Sequence, residues 1–296
     1  MTIAWVFPGQ GSQKVGMAEG VLNLPHAKSR FEYASDLLGR NILEICRGEA
    51  SHEISDLNDT RNTQPALFII ESLLVDDLKR QGRKASFFAG HSLGEIVALY
   101  AADVINFETS LKLLQKRSEL MAASENGSMT AIIGFDRDKL TELVESQKDV
   151  VIANDNSESQ VVLSGTADSI QNVLTSLKCK RAIPLAVSGA FHSPLMSKAS
   201  DLFSQELSNV NFKDAEFPVL SNFDPEPCTN GGDLKEKLSK QMTNGVRWRE
   251  TMDILISRGV NTFVEIGPGN VLSGLLKRSF KNIGINQIST SEDLGH

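Results

Sequence analysis

The sequence predicts an α/β protein in which a parallel β-sheet domain is interrupted by a smaller α+β insert. Short apolar runs alternate with amphipathic helical segments through most of the 296 residues, which is typical of a parallel sheet covered on both faces. Residues 128–187 instead follow the order strand, helix, strand, strand, helix, strand, which is the ferredoxin-like βαββαβ pattern. Strand, glycine turn and helix then recur at residues 262–278. We therefore assign residues 127–188 to the insert and residues 1–126 and 189–296 to the core.

The first part of the core contains two predicted strands, each close to a candidate functional loop. Residues Ile3–Phe7 form a short apolar run that ends at Pro8, as a buried strand does. The segment ALFIIESLLVDDLKR has apolar residues at helical spacing, and Pro65, which precedes it, is expected in the first turn of this helix. The second strand is SFFAG at residues 86–90, and it leads into the helical segment EIVALYAA.

The insert and the last part of the core follow the same kind of pattern. The predicted elements of the insert are, in order, SMTAII, DRDKLTELVES, DVVIAN, QVVLSG, ADSIQNVLTSLK and RAIPLAV. Gly127 on one side and Ser188-Gly189 on the other are expected hinges. Beyond the insert, FPVLSN at residues 217–222 is strand-like and TFVEIGPGNVLSGLLKR predicts a strand, a glycine turn and a helix.

Composition excludes several functional classes. Hydrophobic residues make up 41% of the chain and charged residues 23%, as in an ordinary soluble enzyme. The net charge of −7 argues against a general nucleic-acid binder, which needs a basic surface. No apolar run approaches the ~20 residues of a membrane span, and MTIAWVFPGQ lacks the charged segment of a signal peptide. Three widely spaced cysteines, Cys46, Cys179 and Cys228, fit a reducing compartment, so we expect a cytoplasmic protein without a metal site.

The strongest single motif is Gly90-His91-Ser92-Leu93-Gly94, which matches G-x-S-x-G between a predicted strand and a predicted helix. In that setting a sharp turn exposes the serine hydroxyl at the top of a sheet, and the flanking glycines relieve crowding. The helix N-terminus behind Ser92 also favours developing negative charge. The motif therefore predicts a nucleophilic serine, although an ordinary tight turn between strand and helix would show the same pattern.

A neutral serine needs a general base, and His192 is the best of five histidines. It lies in the apolar, glycine-containing segment SGAFHSPLM just after the last strand of the insert, from which a loop can reach a site on the core. A packed histidine that donates to a backbone carbonyl is the structural alternative. The side chain of His91 is expected to point away from its neighbour Ser92, and the remaining histidines lie in polar or terminal sequence: His26, His52 and His296.

A glycine loop, VFPGQGSQ at residues 6–13, directly follows the first strand. It does not match the dinucleotide fingerprint, because Lys14 stands where the third glycine belongs. It also lacks the Gly-Lys-Ser/Thr ending of a phosphate-binding loop. A nucleotide is therefore not its expected ligand.

Taken together, these motifs resemble the malonyl-CoA:acyl carrier protein transacylases of bacterial-type fatty acid synthesis. The likeness covers nearly the whole chain, and its blocks occur in the family's order: FPGQGSQ, TQPAL, GHSLGE, the helix with Arg117, NDNSESQVVLSG, GAFHS, QMTNGVRW and EIGPG. The resemblance implies a hydrolase-like α/β core with a ferredoxin-like insert, in agreement with the pattern described above. It also implies transfer of a malonyl group from malonyl-CoA to the phosphopantetheine thiol of acyl carrier protein through a malonyl-serine intermediate.

The resemblance implies a role for each site residue. Ser92 would be the nucleophile and His192 the general base, and the backbone N–H groups of Gln10 and Leu93 would form the oxyanion hole. The glycine loop would thus bind an acyl oxygen. In the family a backbone carbonyl near the QMTN segment orients the histidine, which places that role at Gln241. No metal and no bound cofactor are implied.

Two further residues would select the acyl group. Arg117 lies beside the apolar stripe of its helix, where a guanidinium could hold the malonyl carboxylate with two parallel bonds; an arginine with its head group in water is the alternative. Phe191 resembles the Ala-Phe-His signature of malonyl-selective enzymes, and its ring would crowd a methyl substituent. The chain departs from the family at Gly245, where proline is usual, and in a shorter connection between Met121 and Gly127.

Three other functions remain open at this stage. A free-standing acyltransferase that serves a polyketide synthase would use identical chemistry, a serine esterase or thioesterase could share G-x-S-x-G, and a non-catalytic carrier-binding module could keep the fold. An acidic carrier protein would need local positive charge, for which the sequence offers two clusters that could equally be solvated surface: Lys178, Lys180 and Arg181, and Lys277, Arg278 and Lys281. Since the family is usually monomeric, we expect a monomer.

Overall fold

The computed structural model describes residues 2–51, 53–124, 127–187 and 189–295. The first part of the core comprises β1 (Ile3–Phe7), α1 (Ala27–Leu38), α2 (Ile42–Arg47), α3 (Thr60–Arg80), β2 (Phe87–Gly90), α4 (Gly94–Ala101) and α5 (Phe107–Ala122). The insert comprises β3 (Ser128–Phe135), α6 (Arg137–Glu145), β4 (Val150–Ser157), β5 (Gln160–Gly165), α7 (Ala167–Ser176) and β6 (Cys179–Pro184). The rest of the core comprises α8 (Ser197–Ser208), β7 (Val219–Leu220), α9 (Gly231–Lys240), α10 (Trp248–Ser257), β8 (Thr262–Ile266), α11 (Val271–Ser279) and β9 (Gly284–Ile288).

The core is built on a parallel sheet with the strand order β7-β2-β1-β8-β9. Its central strand is buried on both faces, because alternate side chains enter different hydrophobic clusters. Trp5 and Phe7 pack into the larger cluster, whereas Ala4 and Val6 pack into the cluster that contains Trp248. The predicted α/β architecture is thus confirmed, and the carboxyl ends of β1 and β2 lie next to each other with the glycine loop and the serine turn.

The start of α3 differs from the prediction. The helix begins at Thr60, where Asp59 caps it by accepting a hydrogen bond from the N–H of Arg61, so Pro65 lies inside the helix and not in its first turn. A proline at that position cannot donate to the carbonyl of Arg61, four residues earlier. The guanidinium of Arg40 supplies the missing donor, at 2.6 Å from that carbonyl oxygen. A tertiary contact therefore allows the helix to start one turn earlier than the proline suggests.

The insert is a four-stranded antiparallel sheet with the order β4-β5-β3-β6 and two helices, α6 and α7, which is the ferredoxin-like arrangement. Some of its apolar side chains form a hydrophobic cluster of their own, whereas Met129, Ala131, Ala153 and Val162 join the larger cluster of the core. The predicted boundaries at residues 126 and 188 fall on positions outside the described residues and stay predictions. Where the chain enters and leaves the insert, a Cβ on Gly127 would lie 2.2 Å from the backbone nitrogen of Ala190, so the two connections pass in direct contact.

The insert is joined to the core along β4. Val246 accepts a backbone hydrogen bond from Asp155 at 2.9 Å and donates one to Ala153 at 2.8 Å. Arg249 of α10 adds an ion pair with Asp155 at 3.0 Å. Gly245 lies close to β4, since a Cβ on it would be 2.7 Å from the carbonyl oxygen of Ile152. This close approach explains why glycine occupies the position. Over the described ranges, no helix combines the length and the apolar character that crossing a membrane requires.

Candidate active site

Ser92 lies in a strained turn between β2 and α4. Its φ of 55° is in the left-handed region, which is typical of an exposed nucleophile at the end of a strand. The two glycines are required by contact: a Cβ on Gly90 would lie 1.8 Å from the carbonyl oxygen of Gly94, and a Cβ on Gly94 would lie 2.3 Å from that of Phe7. The turn is fastened by the Ser92 N–H, which donates to Oδ1 of Asn222 at 2.7 Å.

His192 is placed to take the proton of Ser92. Its Nε2 lies 2.8 Å from the Ser92 Oγ, and its Nδ1 lies 3.0 Å from the backbone carbonyl oxygen of Gln241. Because a carbonyl only accepts, Nδ1 carries the proton and Nε2 is free to act as acceptor. Burial and the positive charge of Arg117 lower the pKa of His192 to about 3, so the imidazole is neutral at physiological pH. The contact with Gln241 forms although Gly245 replaces the usual proline.

Arg117 is completely buried beside the nucleophile, so it is not an arginine with its head group in water. Its Nη1 donates to Oε1 of Gln64 at 2.7 Å, and its Nη2 donates to Oε1 of Gln241 at 2.8 Å and to Oγ of Ser92 at 3.0 Å. Burial lowers its pKa to about 10, an effect that the charge of Glu95 opposes. The guanidinium therefore stays charged at neutral pH, and within the described part of the chain its Nε has no hydrogen-bond partner.

The two predicted oxyanion donors line one cavity with Ser92, His192 and Arg117. Within the ranges that the structure describes, the backbone N–H groups of Gln10 and Leu93 make no hydrogen bond, as donors reserved for a substrate oxygen should. The loop with Gln10 is held against the serine turn, because a Cβ on Gly9 would lie 2.4 Å from the carbonyl oxygen of His91.

The cavity has a volume of about 230 Å³ and opens between the core and the insert. Phe191 lines it next to His192 and is 6% exposed. His91 points away from the Ser92 hydroxyl, as predicted: its Nε2 lies 2.8 Å from Oδ1 of Asn156 on the insert. Of the other histidines, His26 is exposed, and two lie outside the described residues: His52 and His296.

Three residues of the site have no role that the sequence motifs assign: Gln64, Glu95 and Asn222. Gln64 and Glu95 belong to the quoted blocks TQPAL and GHSLGE, and Asn222 ends the short strand segment next to β2, where functional side chains of parallel sheets collect. Burial raises the pKa of Glu95, against the effect of hydrogen bonds from Asn222 and Gln241.

The side chain of Gln241 connects this polar network to the reacting groups. Its Nε2 donates to Oε2 of Glu95 at 2.7 Å and to the backbone oxygen of Ser92 at 2.9 Å. Its Oε1 is therefore the atom that faces Arg117, and its backbone oxygen holds His192. One residue thus contacts the nucleophile, the base and the guanidinium together.

The two basic clusters lie on different elements of the fold. Lys178, Lys180 and Arg181 are exposed at or beside β6, one of the two edge strands of the insert sheet. Lys277 and Arg278 are exposed at the end of α11, a helix whose Val271, Leu272 and Leu275 line the cavity. Arg278 also donates to the side chain of Gln160, another lining residue, at 3.4 Å.

Comparison with known proteins gives one consistent result. Residues 4–295 match the family model described as acyl transferase domain. The malonyl CoA-acyl carrier protein transacylase of Synechocystis sp. is 47% identical over 294 residues, which is 99% of each chain, and its crystal structure superposes with a TM-score of 0.95, covering 100% of this chain and 99% of that one. A polyketide biosynthesis malonyl CoA-acyl carrier protein transacylase of Bacillus subtilis is 38% identical, over 95% of this chain and 98% of its own.

A further solved structure contains two proteins. It is described as a type II polyketide synthase acyl carrier protein in complex with its malonyl transacylase. The matched chain is 34% identical to this one, with a TM-score of 0.92 over 99% of this chain and 98% of its own.

Proposed function

The chain belongs to the acyl transferase domain family, and from this premise we propose that it is an acyltransferase that moves the malonyl group of malonyl-CoA to the phosphopantetheine thiol of an acyl carrier protein. The relatives that match it over their full length carry that activity in their names. The observation that carries the proposal is the position of Arg117, a buried cation 3.0 Å from the nucleophilic oxygen. A serine esterase has no need of a fixed positive charge there, whereas an acyl group with a free carboxylate does.

The first half-reaction acylates Ser92. His192 Nε2 takes the proton of the Ser92 hydroxyl as Oγ forms a bond to the thioester carbon of malonyl-CoA. The resulting oxyanion accepts hydrogen bonds from the N–H groups of Gln10 and Leu93. When the carbon–sulfur bond breaks, the CoA sulfur takes the proton from His192 and leaves as the thiol.

The second half-reaction repeats these steps with the carrier protein. The phosphopantetheine thiol gives its proton to His192 and attacks the malonyl ester, and Ser92 takes the proton back as it leaves. No metal ion and no bound cofactor takes part in this scheme. We place the entry of the carrier arm at the α11 side of the cavity, where Lys277 and Arg278 adjoin the lining residues.

Fatty acid synthesis is the pathway that the sequence resemblance favours, and a polyketide carrier protein is the second candidate, because a polyketide transacylase is similar over nearly its whole length. Phe191 would disfavour methylmalonyl-CoA in either case, since its buried ring stands beside the base in the acyl cavity. The chemistry of the site is the same for both carriers.

The test is the mass of the intact protein after brief incubation with malonyl-CoA, followed by addition of phosphopantetheinylated acyl carrier protein. We expect one malonyl adduct that the carrier discharges. Ser92→Ala should form none. Ser200→Ala removes a buried hydroxyl that donates to the backbone oxygen of Ser239 at 3.2 Å, and it should behave as the wild type. Free malonate without an adduct would indicate a hydrolase, and the absence of CoA release would indicate a non-catalytic module.

A further inference from the structure

A chain of hydrogen bonds connects Arg117 to the side chain of Gln10. Nη1 of Arg117 donates to Oε1 of Gln64 at 2.7 Å. Nε2 of Gln64 donates to Oγ of Thr60 at 2.8 Å, and the hydroxyl of Thr60 donates to Oε1 of Gln10 at 2.9 Å. Gln64 and Thr60 lie one turn apart at the start of α3, so a single helix end reaches both the carboxylate site and the oxyanion loop.

The direction of the chain is fixed by its first donor. A guanidinium can only donate, so the amide of Gln64 must turn its oxygen toward Arg117 and its nitrogen toward Thr60. Thr60 then accepts from Gln64, and its own proton is available for Gln10. Thr60 is 8% exposed and Gln64 is 1% exposed, so water competes little for these bonds, and bonds in such chains polarise one another.

Gln10 is held both from within its own loop and from α3. It stands between Gly9 and Gly11, and Gly11 has a φ of 108°, a conformation that glycine adopts freely. The carbonyl oxygen of the peptide that carries the Gln10 N–H, that of Gly9, accepts hydrogen bonds from the N–H of Ser12 at 3.2 Å and from its hydroxyl at 2.8 Å, both within the loop itself. The side chain of Gln10 adds a hydrogen bond from outside the loop, because its partner Thr60 belongs to α3.

We propose that Thr60 is a positioning residue of the oxyanion hole: its hydroxyl fixes the side chain of Gln10 and thereby aims the Gln10 N–H at the reacting carbonyl oxygen. Gln64, which Arg117 orients, ensures that the Thr60 hydroxyl donates its proton to Gln10. The inference rests on the proposed function, since it assigns a purpose to the oxyanion donor of that reaction. Because the N–H bonds the oxyanion and not the ground-state substrate, loss of the hydroxyl lowers the acylation rate and leaves KM unchanged.

The experiment measures single-turnover acylation of Ser92 by malonyl-CoA and by acetyl-CoA in Thr60→Val and Thr60→Ser. We expect Thr60→Val to slow acylation by about tenfold, the effect of one lost hydrogen bond in the transition state, by the same factor for both thioesters. Thr60→Ser restores the hydroxyl and should stay within about threefold of the wild type. Thr63→Val is the matched control, because Thr63 is on the same helix turn and its hydroxyl donates to the carbonyl oxygens of Leu57 and Asp59.

A second variant keeps the test independent of folding at α3. Gln10→Ala removes the acceptor on a partly exposed loop, and it should slow acylation as Thr60→Val does. The acylation rate of the double variant should be no lower than that of the slower single variant, because both changes break the same hydrogen bond.

Several results would overturn the inference: wild-type rates in Thr60→Val and Gln10→Ala, equal slowing in Thr63→Val, no rescue by serine, or an effect confined to the KM of malonyl-CoA. Absence of any adduct in the wild-type protein would instead refute the proposed function.

Discussion

Replacing Arg117 by alanine should remove the preference for malonyl-CoA over acetyl-CoA. In the wild-type protein the guanidinium is fully buried, and its three hydrogen bonds go to neutral groups of Gln64, Gln241 and Ser92. Its pKa, lowered by burial to about 10, still leaves it charged at neutral pH. Acetyl-CoA would enclose this charge with no carboxylate in direct contact, whereas the malonyl carboxylate would pair with it.

The size of the effect follows from the cost of a buried charge without its partner, about 3 kcal/mol. At about 1.4 kcal/mol per factor of ten, malonyl-CoA should be favoured by about a hundredfold or more in the wild type. Arg117→Ala should lower kcat/KM for malonyl-CoA by about that factor. For acetyl-CoA the change should be smaller, because this thioester has no carboxylate, whereas the three hydrogen bonds of the guanidinium to Gln64, Gln241 and Ser92 are lost with either thioester.

The assay is the rate of CoA release in the presence of carrier protein, with each thioester varied separately. Arg117→Lys is the control variant, since it keeps the charge but not the planar fork; we expect a selectivity between those of the wild type and the alanine variant. The reasoning is refuted if Arg117→Ala discriminates between malonyl-CoA and acetyl-CoA as strongly as the wild type does.

Two further predictions concern Phe191 and Glu71. Phe191→Ala should raise the ratio of kcat/KM for methylmalonyl-CoA to that for malonyl-CoA, because the ring that crowds the methyl group is gone; an unchanged ratio would contradict this role. Burial and the charge of Glu265 raise the pKa of Glu71 well above 4.5, and within the described chain its carboxyl oxygens have no hydrogen-bond partner. Since the folded state holds this proton after the unfolded chain has released it, the free energy of unfolding falls as pH rises above about 4.5, by at most about 1.4 kcal/mol per pH unit. Glu71→Gln lacks this loss, so the Tm of the variant should rise relative to that of the wild type between about pH 5 and pH 8. A constant difference in Tm over this range would count against the assignment.

The order of secondary structure could be predicted from the sequence because it depends on local patterns. Apolar runs of strand length, helical spacing and glycine turns gave the parallel core and the βαββαβ insert, both of which the structure confirms. The serine turn was equally local, since its two glycines and its neighbouring strand and helix are contiguous in the chain. The resemblance to a known family then gave each site residue a role, and those roles remain proposals.

The start of α3 shows where local patterns fail. Pro65 predicts a helix start, but the cap at Asp59 and the donor from Arg40 move that start to Thr60. Arg40 is 21 residues from the carbonyl it bonds, so the sequence around Pro65 does not predict this contact.

Only the tertiary structure decided how the site is held together. Gln241 contacts Ser92 across 149 residues and Glu95 across 146, and Gln10 meets Thr60 across 50. Periodicity and motif spacing describe neighbours along the chain, whereas these bonds depend on which strand ends and helix ends the fold brings side by side. The sequence by itself therefore determined which elements form and which serine turn is exposed. The fold determined that a buried arginine, an imidazole and two unpaired backbone N–H groups share one cavity, because a hydrogen bond requires its donor and acceptor to lie about 3 Å apart, whatever their separation along the chain.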